Sequence, residues 1–259
     1  MTKLAWVFLF LALGIVFSCA DPGRDWSEAQ KKDNAESYEE FLKKHPKSTQ
    51  AIAARKKISE KYIAKGIELY NQGKLNDSID NFERLIEIDS DNAEAHYFLG
   101  KLYNIIPLHM DKSKEELERA IALNPNLELA HAALADIYFK VEGSSLGKRK
   151  EAINHLEKAI EINPKRAKTY EQLGSVYAFT EGKSEDGIIK LNKALLINPK
   201  SGKAHYYLAY IYYNKRQFPA AIMHYDKSKE LNYEGGTIGF KGLRWEDDLD
   251  KLRKEYTKQ

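Results

Sequence analysis

The sequence predicts an all-α protein in which helical hairpins of similar length stack one on the next as an α-solenoid. Three observations in one register predict it. Small residues recur at Gly66, Gly100, Ala135, Gly174 and Ala209, at intervals of 34, 35, 39 and 35, and three positions after each stands Leu69, Tyr103, Tyr138, Tyr177 or Tyr212. A second small position recurs at Ala120, Ala159, Ala194 and Ser228, with Leu85 at the same phase. Asn-Pro then closes three units, at Pro125, Pro164 and Pro199. A repeat of this period is one supersecondary unit that cannot bury its own apolar face, so neighbours must bury it.

The elements follow from the N-terminus. Lys3 is followed by fifteen uncharged residues, Leu4 to Ser18, and the run ends at Ala20 before Asp21, Pro22, Gly23 and Arg24. One positive residue, an apolar core and small residues at its end form the layout of a secretory signal, and the run is short of the ~20 apolar residues of a spanning helix. The single cysteine, Cys19, stands where the run stops. The stretch Val16-Phe17-Ser18-Cys19 resembles a bacterial lipoprotein signal, with Phe17 bulkier than that pattern usually has. The resemblance implies cleavage after residue 18, lipidation of Cys19 by a diacylglycerol and an N-acyl chain, and a chain held at a membrane of the cell envelope, facing the periplasm. Cleavage would leave no second cysteine for a disulfide.

Residues 19–58 are expected to be a tether followed by a degenerate helical repeat, with Tyr38, Phe41, Leu42 and Pro46 in a second-helix pattern and Ile52, Ala53 and Ile58 in the next helix. Five repeats are expected at 59–92, 93–127, 128–166, 167–201 and 202–235. The third is longer than the others, and its extra length falls in Lys140 to Lys148, where two Gly and two Ser predict a flexible turn between its helices. After a turn-rich GGTIGFKGL, Trp245, Leu249, Leu252 and Tyr256 recur at helical spacing, so 236–259 is expected to end in a helix that caps the last repeat.

The clearest unit, Ala167 to Pro199, carries Tyr170, Leu173-Gly174, Tyr177, Leu191, Ala194 and Pro199, with Gly187 where an alanine is usual. These residues resemble the tetratricopeptide repeat, a helix–turn–helix of about 34 residues. The resemblance implies a right-handed superhelix whose concave groove is lined by the first helix of each unit. It places in that groove Ile63, Ile67 and Tyr70; Tyr97, Phe98 and Lys101; Asp136, Phe139 and Lys140; Glu171, Gln172, Ser175 and Phe179; and Tyr206, Tyr207, Tyr210 and Tyr213. Tyrosine offers large contact area with a polar tip, which suits peptide recognition. The family's clamp for C-terminal carboxylates is not expected, because its positions hold Ile67, Lys101, Asp136, Ser175 and Tyr210.

Composition and motifs narrow the chemistry. Lys plus Arg is 41 and Asp plus Glu 38, a near balance that argues against a polybasic nucleic-acid surface. His96, His131 and His205 occupy the place held by Tyr62 and Tyr170 in the other units, so they are expected to pack between paired helices rather than to bind metal. No phosphate loop, nucleophile elbow or His-Glu-x-x-His is present, and pairs such as Glu115-Glu116 and Asp247-Asp248 fit solvated helix faces. The expectation is a membrane-anchored, non-catalytic interaction scaffold of the bacterial envelope, without cofactor, that holds a segment of another envelope protein. The alternative is a glycan-binding module in cell-wall or polysaccharide assembly, with the same tyrosines stacking on sugars.

Overall fold

The computed structural model describes residues 21–106, 109–140, 146–233 and 245–256. The apolar run with Cys19 and the turn-rich 235–243 segment lie outside the described residues. All thirteen regular elements among the described residues are α-helices. The chain divides into two compact units, Met1–Asn92 and Ala93–Gln259.

The first unit holds α1 (Pro22–Lys32), α2 (Ala35–Lys44), α3 (Ala51–Asn71) and α4 (Leu75–Ile88). The side chain of Asp21 caps α1 by accepting from Gly23 N at 2.9 Å, and Asn34 caps α2 by accepting from Ser37 N at 2.8 Å. Trp26 of α1 packs on Tyr38 and Phe41 of α2, with ring centroids 5.6 and 5.2 Å apart. His45 Nε2 meets Asp25 Oδ2 at 2.9 Å, and this bond, the largest cause, holds the Asp25 carboxyl below its usual range. Helix α3 runs unbroken across position 59, where the first repeat is expected to begin. No proline interrupts Ala51 to Asn71, so the segment expected to end a degenerate repeat and the first helix expected of the following repeat are one 21-residue helix. Gly66 of this helix is a notch: a Cβ there would stand 2.4 Å from Cζ of Phe82 on α4, and Ser78 Oγ donates to the Gly66 carbonyl at 2.8 Å.

The second unit holds four hairpins and a last helix. They are α5 (Ala93–Tyr103) with α6 (Met110–Leu123), α7 (Glu128–Lys140) with α8 (Leu146–Ile162), α9 (Ala167–Ala178) with α10 (Ser184–Ile197), α11 (Gly202–Asn214) with α12 (Phe218–Glu230), and α13 (Trp245–Tyr256). Both ends of the expected Lys140–Lys148 turn are helical, since α7 runs to Lys140 and α8 starts at Leu146; residues 141–145 lie outside the described residues.

Asn-Pro ends α6, α8 and α10 for two reasons. Proline pushes the preceding residue toward extended backbone, and Asn124 and Asn198 both have ψ 91. Each asparagine side chain then turns the chain, accepting from the backbone N–H of Asn126, Lys165 or Lys200 at 3.1–3.2 Å. Within hairpins, small residues admit large ones: a Cβ on Gly174 would lie 2.5 Å from Leu191 Cγ, and Leu191 is wholly buried. Leu117, Leu156 and Tyr225 fill the same place in the other hairpins and are also buried. Ala120, Ala159 and Ala194, fully buried near the ends of the second helices, let the next hairpin approach. At the C-terminal end Leu249 of α13 is buried with Ala209, Ala221 and Tyr225, while the side chains of Trp245 and Tyr256 lie outside the described residues.

Candidate functional site

In the second unit the first helices of successive hairpins touch one another in series, α5 to α7, α7 to α9 and α9 to α11, and no second-to-second pair is as closely apposed. First helices therefore form the inner, concave side of this unit and second helices its outer side.

A line of aromatic rings crosses three of the inner helices. Phe139 near the end of α7 lies 6.1 Å from Phe179, the residue that ends α9. Phe179 in turn lies 4.7 Å from Tyr210 and, edge-on, 5.9 Å from Tyr207 on α11. Tyr206 stands 5.5 Å from both Tyr207 and Tyr233. The Phe179 carbonyl accepts from Arg149 Nη1 at 2.6 Å, which ties the end of α9 to α8. Polar rungs run beside the rings: Thr169 Oγ1 donates to Glu128 at 2.9 Å, Gln172 Nε2 to Asp136 at 3.3 Å, and Lys203 pairs with Glu171 at 3.6 Å.

The expected groove residues separate into three groups. Phe98, Lys101, Phe179, Tyr206, Tyr210 and Tyr213 are half-buried on the second unit. Desolvation lowers the pKa of the Lys101 ammonium. The Tyr213 hydroxyl donates to Asp248 of α13 at 2.8 Å, so the last helix engages it directly. Tyr97, Phe139 and Tyr207 are corrections to the expected contact surface: they are 8%, 7% and 2% exposed and belong to the core clusters. Gln172 and Ser175 are buried with them. Contact between first helices of neighbouring hairpins covers these positions, and burial pushes the Tyr207 hydroxyl pKa far up. Tyr70, with Ile63 and Ile67, lies half-buried on α3 of the first unit. The Lys140 side chain and Cys19 lie outside the described residues.

His96, His131 and His205 sit between the helices of their hairpins, each bonded to the second helix. His96 Nδ1 meets Glu116 at 2.6 Å, His131 Nδ1 meets His155 Nδ1 at 2.9 Å, and His205 Nδ1 meets His224 Nδ1 at 2.9 Å. His131 Nε2 donates to the Pro125 carbonyl, so in the neutral pair His155 is the Nδ1 donor. Burial, then the neighbouring imidazole, lowers the pKa of His155 and takes His224 down to about 4; burial and Lys227 lower His205. Sequence reading found one side of each pair and missed the other. Glu116, His155 and His224 all stand three residues after the small residue near the start of the second helix, Ser113, Ala152 or Ala221, and that column was the available signal. Among the described residues no three His, Cys, Asp or Glu side chains converge as a metal site, and no helix is long and apolar enough to cross a membrane.

The family model described as TPR repeat matches residues 66–104 and 145–178. Human tetratricopeptide repeat protein 13 is 29% identical over 143 residues, 54% of this chain and only 15% of that protein's length. Among solved structures, pilF of Pseudomonas aeruginosa superposes with a TM-score of 0.64 at 20% identity, covering 78% of this chain and 87% of that one. YrrB, described as a TPR protein with an unusual peptide-binding site, gives 0.57 at 18% identity over 85% of this chain and 99% of that chain. A TPR protein of Thermus thermophilus gives 0.56 at 21% identity, covering 75% and 98%. The fold is an all-α solenoid of hairpins of the tetratricopeptide type.

Proposed function

We propose that the protein is a non-catalytic interaction scaffold that holds a segment of a partner protein on the concave face of its second unit. The observation that carries this reading is the half-exposed ring set Phe179, Tyr206 and Tyr210, backed from behind by the buried rings of Phe139 and Tyr207. Rings whose rear faces are already packed lose little conformational freedom when a ligand covers their front, which is how binding hot spots arise. The likeness to YrrB, which carries a peptide-binding site, supports a peptide segment as the ligand.

The test is photo-crosslinking in cells from position 210, identification of the joined segment, and titration of that synthetic segment against the purified protein. Tyr206→Ala with Tyr210→Ala is expected to weaken binding by about 2–4 kcal/mol while helicity is unchanged. Equal affinity in the double variant would contradict the reading, as would crosslinks to peptidoglycan in place of protein.

We further propose that the chain is moored to an envelope membrane through lipid on Cys19, supported by the apolar run Leu4 to Ser18 that precedes it. Intact-mass measurement of the membrane fraction is expected to show loss of residues 1–18 and added acyl mass. A mature chain with an unmodified Cys19 would refute the anchor.

A further inference from the structure

The outer ridge of each second helix can be compared in register, counting from the small residue near its start. Two, six and nine positions on stand Asp80, Arg84 and Glu87 in α4, and Asn154, Lys158 and Glu161 in α8. The corresponding residues of α12 are Met223, Lys227 and Glu230, and those of α6 are Glu115, Arg119 and Ala122, with no acid at the third place. In α4, α8 and α12 the base is paired with the acid one turn on: Arg84–Glu87 at 2.8 Å, Lys158–Glu161 at 3.0 Å and Lys227–Glu230 at 2.7 Å. This is a solvated surface.

Helix α10 departs from it. The same three places hold Ile189, Lys193 and Leu196, so the base is kept and the acid is replaced by a large aliphatic residue. Ile189 is 62% and Leu196 74% exposed, and Ile197 beside them is 36% exposed. From Gly187 to Lys203 the chain carries four lysines and no acid, in a protein with 41 basic and 38 acidic residues. Lys203 turns inward to Glu171, whereas Lys190, Lys193 and Lys200 form no ion pair among the described residues. On the next hairpin Met223, in register with Ile189, is 59% exposed.

We infer that the outer ridge of α10 docks on an anionic lipid bilayer. An aliphatic stripe flanked by unpaired lysines is the chemistry of an interfacial helix, in which apolar side chains enter the headgroup boundary and ammonium groups meet anionic headgroups. The shape selects the bilayer over a peptide: the ridge lies on the convex side of the unit, which cannot enclose an extended chain but can rest on a deformable plane. In this orientation the concave face points away from the lipid. The inference does not rest on what that face binds.

The test is local, because an apolar run of the length of Leu4–Ala20 would be expected to partition into a vesicle of any charge. In the full-length protein with Cys19→Ser, an environment-sensitive fluorophore is attached at Asn192→Cys on the α10 ridge or, as control, at Asn154→Cys on α8. Phosphatidylcholine vesicles with and without phosphatidylserine are the probe. A blue shift and quenching by brominated acyl chains are expected at position 192 only, dependent on phosphatidylserine and weakened by salt. Reversing Lys190, Lys193 and Lys200 to Glu should lower the apparent affinity read at position 192 by roughly fivefold per lysine, with unchanged circular dichroism. An equal shift at position 154, a shift independent of phosphatidylserine, or no shift at position 192 would overturn the inference. So would a concentration-dependent shift at position 192 without vesicles, which would show that a second copy of the chain covers the ridge.

Discussion

The hairpins α7/α8 and α11/α12 close their seams differently from the hairpin α9/α10 that stands between them in sequence. In the first two, an imidazole pair joins the helices, with His155 stacked 5.8 Å from Tyr138 and His224 stacked 5.5 Å from Tyr212. In α9/α10 the place of the first histidine is taken by Tyr170, 7% exposed, and the seam is closed by Leu191 seated in the Gly174 notch. One fold position thus accepts either a buried polar pair or a ring. The choice leaves the architecture intact but decides how each hairpin responds to acid.

The largest expected effect sharpens this contrast from the apolar side. Leu191→Ala should cost about 2–5 kcal/mol in denaturant unfolding, because the notch opposite it cannot collapse to fill the cavity. Leu156→Ala should cost a similar amount in α7/α8, since Leu156 is also buried. Both costs should be the same above and below the imidazole titration, because neither leucine touches the charge balance. A cost that changes with pH would tie the apolar seam to the imidazoles and break the contrast.

A smaller effect tests the polar side. His155, His205 and His224 are all held below the ordinary value of 6.5, so the unfolded chain binds more protons than the folded one. Their contribution is fully present above pH 6.5 and is lost as the pH falls from there toward about 4, the folded value of His224. Around His205 and His224 the facing groups are Tyr212, Lys227 and Glu230; around His131 and His155 they are Tyr138, Glu118 and Glu151. The carboxylates soften the loss and Lys227 adds to it. Allowing for the partial exposure of His224, its share is on the order of 2 kcal/mol. His224→Leu should flatten the acid limb of a stability–pH profile by that amount, and an unchanged limb would show that the pair does not titrate as described.

Features governed by neighbours in the chain were legible in the sequence. Pro125, Pro164 and Pro199 restrict the residue before them, and Gly66, Gly100 and Gly174 mark close approach, so the hairpins could be read from short-range chemistry alone. The length of α3 was not, because repeat register alone begins a unit at position 59 although nothing near it breaks a helix. The candidate face was legible by half. Tyr206 and Tyr210 keep part of their surface in solvent, but Tyr97, Phe139 and Tyr207 are covered by the adjacent hairpins, and helix spacing within one hairpin carries no information about its neighbours. The histidine pairs and the α10 ridge emerge only when equivalent positions of several second helices are set side by side.

The central claim is that each hairpin of the second unit is stabilised by burying its apolar face against the hairpins on either side. Native-state hydrogen exchange of Leu191→Ala tests it most directly. The account predicts lost amide protection in α9 and α10, a smaller loss in the flanking α8 and α11, and protection retained in α5 and α6. Loss confined to α9 and α10, or an equal loss in every helix of the unit, would contradict it.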